Sequence, residues 1–551
     1  MNKTGMWAAA LGATAGLLAW TAPAQAKESG VDFMLCDRLA APKAPKPNGK
    51  FGDHWQMGVG FVPQTLKLPF GAKGVEACDR ALADPRLDQR YTERRARLLL
   101  YKALHQIAAK EDFAALVSLD ESDRLIASGE APLAARYGPG NRAVRAVGLF
   151  RMNKAAEAEA VLKALSDARP YSLSVRSLTN TVRLIFNDDP AARRALMREQ
   201  AVYSPGHLRL LFIDALAKGR FEDAVTLSPQ VSFDLPRSRG GWQIEGTETR
   251  KHEMIEDRAR FAGSTAYALA AIGRAAQAKA KLDEARAALL DAAEPPAAPE
   301  EMEYIGSNKR KDWEKRKAAA ATGRAIVDQW EQAILFRAKA KDMSFDEVMA
   351  PQNVPDKEAV VVAADFLRQA RVDGLPEAKK RDAVVEAVER MSDESIVKAL
   401  GLTIAEFADR LDLLRDTGGE VKMRREGGNW FRTDLEGYAI FKADDPELFN
   451  VRFGTLSAPP AAVEEAALLK AADRAAELGM DGIVLESVQV IRRQFVTYGG
   501  GPVSSGGNEV RLLVRPVRIA SLPKHIAEAQ WRVLPVAGLR AALAPKYPPM
   551  P

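Results

Sequence analysis

The chain has 551 residues, of which 47% are hydrophobic, 28% charged and 7% aromatic. Such a composition buries several cores and excludes a disordered chain, and at roughly 150 residues per domain the length suggests two to four units. Few aromatics and abundant alanine favour close-packed helix pairs over a sheet-rich sandwich. The net charge of +6, or +5 without Lys3, is a small excess that singles out no partner.

Residues 1–26 read as an export signal. Lys3 supplies the positive end, 6–21 the apolar stretch, and Ala24-Gln25-Ala26 a small-residue cleavage site. Cleavage after Ala26 is expected, giving a free periplasmic protein; an uncleaved anchor is the alternative, disfavoured because the apolar stretch is short for a membrane span. No later segment is apolar enough to cross a membrane. A lipid-anchored product needs a cysteine at the cleavage site, whereas the first one, Cys36, lies ten residues on. Export also sets nucleic acid aside as a partner.

Residues 27–78 are expected to be loop-rich, with Pro42, Pro45, Pro47, Gly49 and Gly52 among their breakers. Two cysteines in an oxidising compartment make one disulfide, Cys36 to Cys78, the simplest pairing. Closing a loop of this length stabilises by roughly 4 kcal/mol in the chain-entropy model. Two isolated thiols make neither a zinc site nor a closely spaced redox pair.

From residue 79 to 293 apolar residues recur at helical spacing, beginning with Leu98, Leu99, Tyr101, Leu104 and Ile107. A turn recurs in which a small or polar residue is followed, five positions on, by an alanine: Ala115, Ala158, Ala192, Ala224 and Ala278. The two middle intervals match a helix-pair repeat of about 34 residues. In this respect the segment resembles the tetratricopeptide-repeat family, best in the run holding Ala266, Gly273, Ala278, Leu282 and Ala285 and less completely around Ala146, Ala158, Leu162 and Pro170 and around Gly219, Ala224 and Pro236. Alanine-rich amphipathic helices of another array imitate the same pattern. In either case alanine lets helix backbones approach and each pair hides its apolar face by stacking on neighbours. Breaks are expected at 129–140, at 228–249 and in the Pro-rich stretch 294–299.

Residues 294–430 are expected to hold further helices: a charged one over 312–341 and a second stretch over 357–415, with starts at Met391-Ser392-Asp393 and at Leu402-Thr403. The basic run Lys309-Arg310-Lys311 with Lys315-Arg316-Lys317 can attract an anionic envelope glycan or lipid, although a run interrupted by Asp312 and Glu314 is more commonly a solvated helix face.

Residues 431–518 read as strand, strand, helix, strand, strand. The strands are 438–441, 449–453, 482–490 and 510–517, the helix runs over 460–478 and stops at Gly479, and a Gly/Ser loop spans 498–508. This segment resembles a group of small bacterial envelope proteins, many of them lipoproteins, through Gly437, Tyr438, Phe449, Val451, Phe453, Gly454, Leu468, Leu469, Ala471, Ala472, Gly479 and Asp481. It departs from them at Lys470, Asp473 and Gly482. The resemblance implies a compartment and a fold, and no reaction. Residues 519–551 form a tail that docks on the array or stays mobile. The whole is expected to be mainly α: a tetratricopeptide-like helical-repeat solenoid followed by a small α+β (β-β-α-β-β) C-terminal domain.

No catalytic constellation emerges, and no cofactor or metal is expected. His252-Glu253 resembles the start of a zinc-protease helix, but Glu256 stands where the second histidine belongs. Glu486-Ser487 invites comparison with lytic transglycosylases, yet its surroundings alternate like a strand where those enzymes have a helix. The glycines 499–501, 506 and 507 precede a strand, whereas a phosphate cradle opens onto a helix.

Binding is the remaining reading. The repeat resemblance implies a concave groove carrying Val147, Phe150, Thr181, Leu184, Ile213, Leu216 and Tyr267, mostly apolar, and suited to an amphipathic segment of a partner or to another part of this chain such as 231–242. The expected function is a periplasmic helical-repeat scaffold or interaction protein that binds an envelope protein or peptide segment. The alternative is an envelope enzyme or binding protein acting on peptidoglycan or polysaccharide, and a third is an assembly factor without a dedicated ligand.

Overall fold

A computed structural model describes residues 25–39, 41, 69–87, 91–129, 131–234, 251–297, 306–349, 359–370, 375–400, 402–415, 420–426, 428–429, 432–433, 436–495 and 504–548. The apolar stretch of the expected export signal, most of the Pro/Gly-rich segment before Cys78, residues 235–249 of the expected second break and the glycines 499–501 lie outside the described residues.

Among the described residues the fold is mainly α, with twenty α-helices and a small antiparallel sheet near the C-terminus. The array consists of α1 (Gln25–Asp37), α2 (Ala72–Leu82), α3 (Thr92–Ala108), α4 (Asp112–Ser128), α5 (Ala131–Arg151), α6 (Ala155–Ala168), α7 (Leu173–Phe186), α8 (Pro190–Tyr203), α9 (His207–Ala217), α10 (Phe221–Leu227), α11 (Lys251–Ala271) and α12 (Ala275–Ala293). Each helix packs on the next, the local pattern that a helical-repeat fold requires.

Four of its hairpins share one turn. Lys110, Asn153, Gly219 and Gly273 have φ of 66°, 60°, 66° and 81°. The residue after each sends its N–H back five positions, as in Lys154 to the Leu149 carbonyl at 2.9 Å and Arg220 to the Ala215 carbonyl at 2.8 Å. This closure satisfies carbonyls that a helix end leaves unpaired. Five positions beyond each turn stand Ala115, Ala158, Ala224 and Ala278, none more than 3% exposed, where a larger side chain would hold the two helices apart. The fifth anchor departs: α8 starts instead at Pro190, with Asp189 accepting the N–H groups of Ala191 and Ala192 at 2.9 and 3.2 Å.

Two expectations are corrected here. Residues 131–140 continue α5, with Pro139 inside the helix; burial of Tyr137 and Val144, and the bonds from Asn141 to Ser122 and Asp123 of α4, override the Gly-Pro-Gly signal. Cys36 and Cys78 sit on α1 and α2, where a loop was expected, and form a wholly buried disulfide.

The chain continues through α13 (Ser307–Ala340), α14 (Phe345–Met349), α15 (Ala359–Gln369), α16 (Leu375–Leu400) and α17 (Ile404–Leu414). Long α13 lies along α11 and α12. The approach is close: a Cβ built on Gly263 of α11 would stand 2.1 Å from Cδ1 of Trp330 in α13. The expected helix start at Met391 lies inside α16, whereas Thr403 does start a helix, closing a capping box with Glu406. From there the chain turns back: α15 and α16 pack on α9, α16 and α17 on α7, and α17 on α5.

The C-terminal part holds a short hairpin, β1 (Gly428–Asn429) with β2 (Arg432–Thr433), and a five-stranded antiparallel sheet. Its strands are β3 (Gly437–Lys442), β4 (Phe449–Thr455), β5 (Gly482–Phe495), β6 (Ser504–Val517) and β7 (Leu534–Pro535), in the order β3-β4-β6-β5-β7. The sheet thus has one strand more than expected. Strand β6 also starts at Ser504, ahead of Val510, because β5 runs on to Phe495 and pairs with it there, Phe495 opposite Ser504 and Gln494 opposite Ser505. Helix α18 (Pro460–Glu477) lies across one face, where Val463, Leu468 and Leu469 meet Val451, Phe453, Leu485 and Leu512. The same core takes in Leu173, Val202 and Tyr203 of the array and Leu539 and Leu543 of α20 (Val536–Leu543). Helix α18 is therefore buried between sheet and array, and the tail that includes α19 (Lys524–Ala527) and α20 is docked.

Candidate functional site

The residues expected to face a groove do not share one open surface. Phe150 is half-buried and stacks on Phe186 at 5.0 Å, and Val147 packs beside it in the first core. Thr181, Leu184, Leu216 and Tyr267 are at most 4% exposed. Tyr267 lies among Trp330, Phe221 and Phe366 and donates its hydroxyl to Asp365 of α15. Only Ile213, at 42%, is freely exposed among the seven. Helices α15 to α17 pack on the very helices, α5, α7 and α9, that carry most of these positions.

The array and the C-terminal domain are joined by buried polar contacts at two places. At the first, the Glu464 carboxylate on α18 sits at the N-terminus of α7. It accepts from Ser172 Oγ at 2.7 Å, from the Ser174 N–H at 2.9 Å and from Ser174 Oγ. Burial pushes this carboxyl above its ordinary range, and the bonds from Ser174 and Ser172 oppose the rise. Its neighbour Glu465 accepts from Arg169 at 3.1 Å and from Tyr547 of the tail at 2.6 Å. Burial, with Glu465 adding to it, drives the Tyr547 hydroxyl well above its ordinary range.

At the second, Arg532 is 1% exposed and spans the two parts. Its Nη1 donates to Gln230 Oε1 at 2.8 Å, just after α10, and its Nη2 to the Leu485 carbonyl of β5 at 2.6 Å. Burial lowers its pKa and Glu486, 3.6 Å away, works against that.

Beside this strut lies a cavity of about 730 Å³. Its floor is the α11–α12 hairpin, through Ala259, Ala262, Ala285, Ala288 and Ala292 with Leu269 and Leu289. Val231 and Phe233 close one side, Phe233 lying edge-on to Phe261 at 5.4 Å. The C-terminal domain supplies the polar end: Asp445, Glu486, Arg515 and His525. Arg515 reaches Glu486 at 2.9 Å, Asp445 at 3.2 Å and Glu447. Burial works against its charge, but these three carboxylates prevail and hold it above its ordinary value. Thr265 borders the cavity at 3% exposure, and its hydroxyl has no hydrogen-bond partner among the described residues.

This arrangement offers an apolar seat with a hydrogen-bonding end, the common form of a small-molecule site. The carboxylates converge on one guanidinium, which keeps them as paired acceptors. Glu486 lies on β5 at a break in its register with β6, between Leu485 and Ser487, which turns it toward Arg515 and Arg532. His252 falls in the first turn of α11. Among the described residues no three His, Cys, Asp or Glu side chains gather as a metal-holding group, and no helix is long and apolar enough to cross a membrane.

The sequence reading singled out Glu486 and the segment from Val231, but missed Arg515, Arg532, Asp445 and Thr265. The one signal for them was the run of small residues on α12, which leaves room above the hairpin. Comparison with known proteins gives no match to any family model, curated protein or solved structure.

Proposed function

We propose that the protein is a periplasmic helical-repeat binding protein, tetratricopeptide-like in its array, that holds an envelope component in the cleft between α11–α12 and the C-terminal sheet. The observation that carries this reading is the cavity of about 730 Å³ lined from both parts of the chain, a volume within the roughly 300–1,000 Å³ of ligand sites. Arg532 and Glu464 fix the two walls relative to each other, and a preformed seat spares the ligand the ordering free energy. Lys3, the apolar stretch 6–21 and the site at Ala24-Gln25-Ala26 support export, as does a buried disulfide.

A scaffold that recruits an envelope protein is the second reading. It draws support from Phe113 and Val117, 71% and 49% exposed one turn apart on α4, a better candidate surface than the positions covered by α15 to α17. An enzyme acting on peptidoglycan or polysaccharide has less support, since the converging carboxylates are tied to Arg515.

The test is crosslinking capture from envelope extract with residues 27–551, followed by mass spectrometry of captured proteins and extracted small molecules. An Ala262→Trp/Ala288→Trp double variant, which fills the cleft, runs beside it. A component held by the parent and lost by the folded variant supports the reading. Equal capture by both removes the cleft from it.

A further inference from the structure

The cleft's own chemistry narrows what fits it. Its floor offers few hydrogen bonds: α11 and α12 satisfy their backbones internally, and beside the Thr265 hydroxyl the side chains they present are mostly apolar, Ala259, Ala262, Ala285, Ala288 and Leu289 among them. An extended peptide laid there meets no backbone edge on the floor with which to pair. The seat is of small-molecule size: its volume of about 730 Å³ lies within the roughly 300–1,000 Å³ of small-ligand sites.

Charge narrows it further. The lining cations are already matched: Arg258 with Asp234 at 2.9 Å, Lys281 with Glu284 at 2.9 Å, and Arg515 with Asp445 and Glu486 at 3.2 and 2.9 Å. These seven charged side chains line the cavity as four carboxylates and three cations, so the lining carries one negative charge in excess. An anionic head would meet that excess negative charge, with the carboxylates of Asp445 and Glu486 facing it at the polar end. A head that donates hydrogen bonds, or carries positive charge, meets acceptors at Asp445 and Glu486 without displacing anything.

Resting on the cleft reading above, we infer that the ligand is a small amphiphile: a slender apolar body lying on the alanine floor of α11–α12, with an uncharged or cationic hydrogen-bonding head at Asp445 and Glu486. Fatty-acid anions are poor ligands on this account. The selectivity follows from the paired state of Arg515 and the excess of carboxylates, and the apolar body follows from the alanines, Leu269 and Leu289 of the floor.

The experiment uses the chain from Lys27 to Pro551 and the neutral fluorophore N-phenyl-1-naphthylamine, displaced by dodecyl maltoside, dodecyltrimethylammonium or laurate, each below its micelle concentration. The expected result is saturable binding, displacement by the first two, and displacement by laurate at least about tenfold weaker, a difference of about 1.4 kcal/mol. Ala262→Trp/Ala288→Trp is expected to lose binding by about tenfold or more with an unchanged circular dichroism spectrum; Ala292→Phe, at the half-buried edge of the floor, serves if the double variant does not fold. Laurate binding as tightly as the others, no saturable binding, or binding unchanged in the filled variants overturns the inference. If cleft-dependent capture of an envelope component persists while amphiphile binding fails, the ligand class is wrong and the cleft reading stands; loss of both removes both.

Discussion

Glu464 accepts the backbone N–H of Ser174 at 2.9 Å across 290 positions of sequence. The carboxylate of the C-terminal domain thereby caps helix α7 of the array, where the positive end of a helix dipole favours it. Ser172 closes the cap from its own side by accepting the Val175 N–H at 3.2 Å.

Removing that cap and softening it give different results. Glu464→Ala leaves the buried Ser172 hydroxyl and the half-buried Ser174 donors without this acceptor and is expected to cost about 1–3 kcal/mol. Glu464→Gln keeps an acceptor and removes the buried charge, so at pH 7 its stability is expected to equal or exceed the parent's. Because burial raises the folded pKa of Glu464, the folded state binds this proton more readily than the unfolded one. The parent therefore gains stability from this group as pH falls from neutral through the raised folded pKa toward the ordinary glutamate value. Denaturant titrations of parent and glutamine variant at several pH values should show their difference shrinking over that window.

Arg532→Met keeps most of the side-chain volume but leaves Gln230, the Leu485 carbonyl and Glu486 short of a donor. A loss of about 2–4 kcal/mol is expected, together with faster proteolysis near residue 230, where the strut leaves the array. Unchanged stability and cleavage would show that the second junction bears no strain between the two parts.

The array can be probed at two backbone positions. Gly263→Ala forces its Cβ onto Trp330, and overpacking of this kind costs about 1–3 kcal/mol. Lys110→Gly relieves a left-handed residue at φ 66° and is expected to stabilise by about 1 kcal/mol. Thermal melting of the two variants should move in opposite directions.

Cys36→Ala/Cys78→Ala tests the staple between α1 and α2. The sequence separation of 42 gives roughly 4 kcal/mol of lost stability in the chain-entropy model. Since both sulfurs are wholly buried, the parent should resist mild reductant until it unfolds, which thiol labelling during denaturation would follow.

The alanine anchors were legible because a left-handed turn and a close helix contact each demand a particular residue, and Gly219 with Ala224 or Gly273 with Ala278 meet both demands at fixed spacing. The strands around Phe453 and Val451 were legible by alternation, and α18 by its stop at Gly479. Residues 131–140 were misread because Gly138-Pro139-Gly140 is a strong local signal that tertiary burial of Tyr137 overrides. The cover over Leu184, Leu216 and Tyr267 was hidden for another reason: the apolar faces of α15 to α17 say that they are buried, not against what. The cleft was least legible, since Arg515, Asp445 and Arg532 come together only through strand pairing and the docking of the tail.

The most direct test of the central claim places a photocrosslinking amino acid at Ala288, exposed and on the cleft floor, and in a second protein at Ala276, exposed on the same helix but not lining the cleft. After irradiation in envelope extract, the account predicts a discrete adduct from position 288 and none from 276. Equal labelling from both positions, or from 276 alone, would contradict the assignment of the cleft as the binding site.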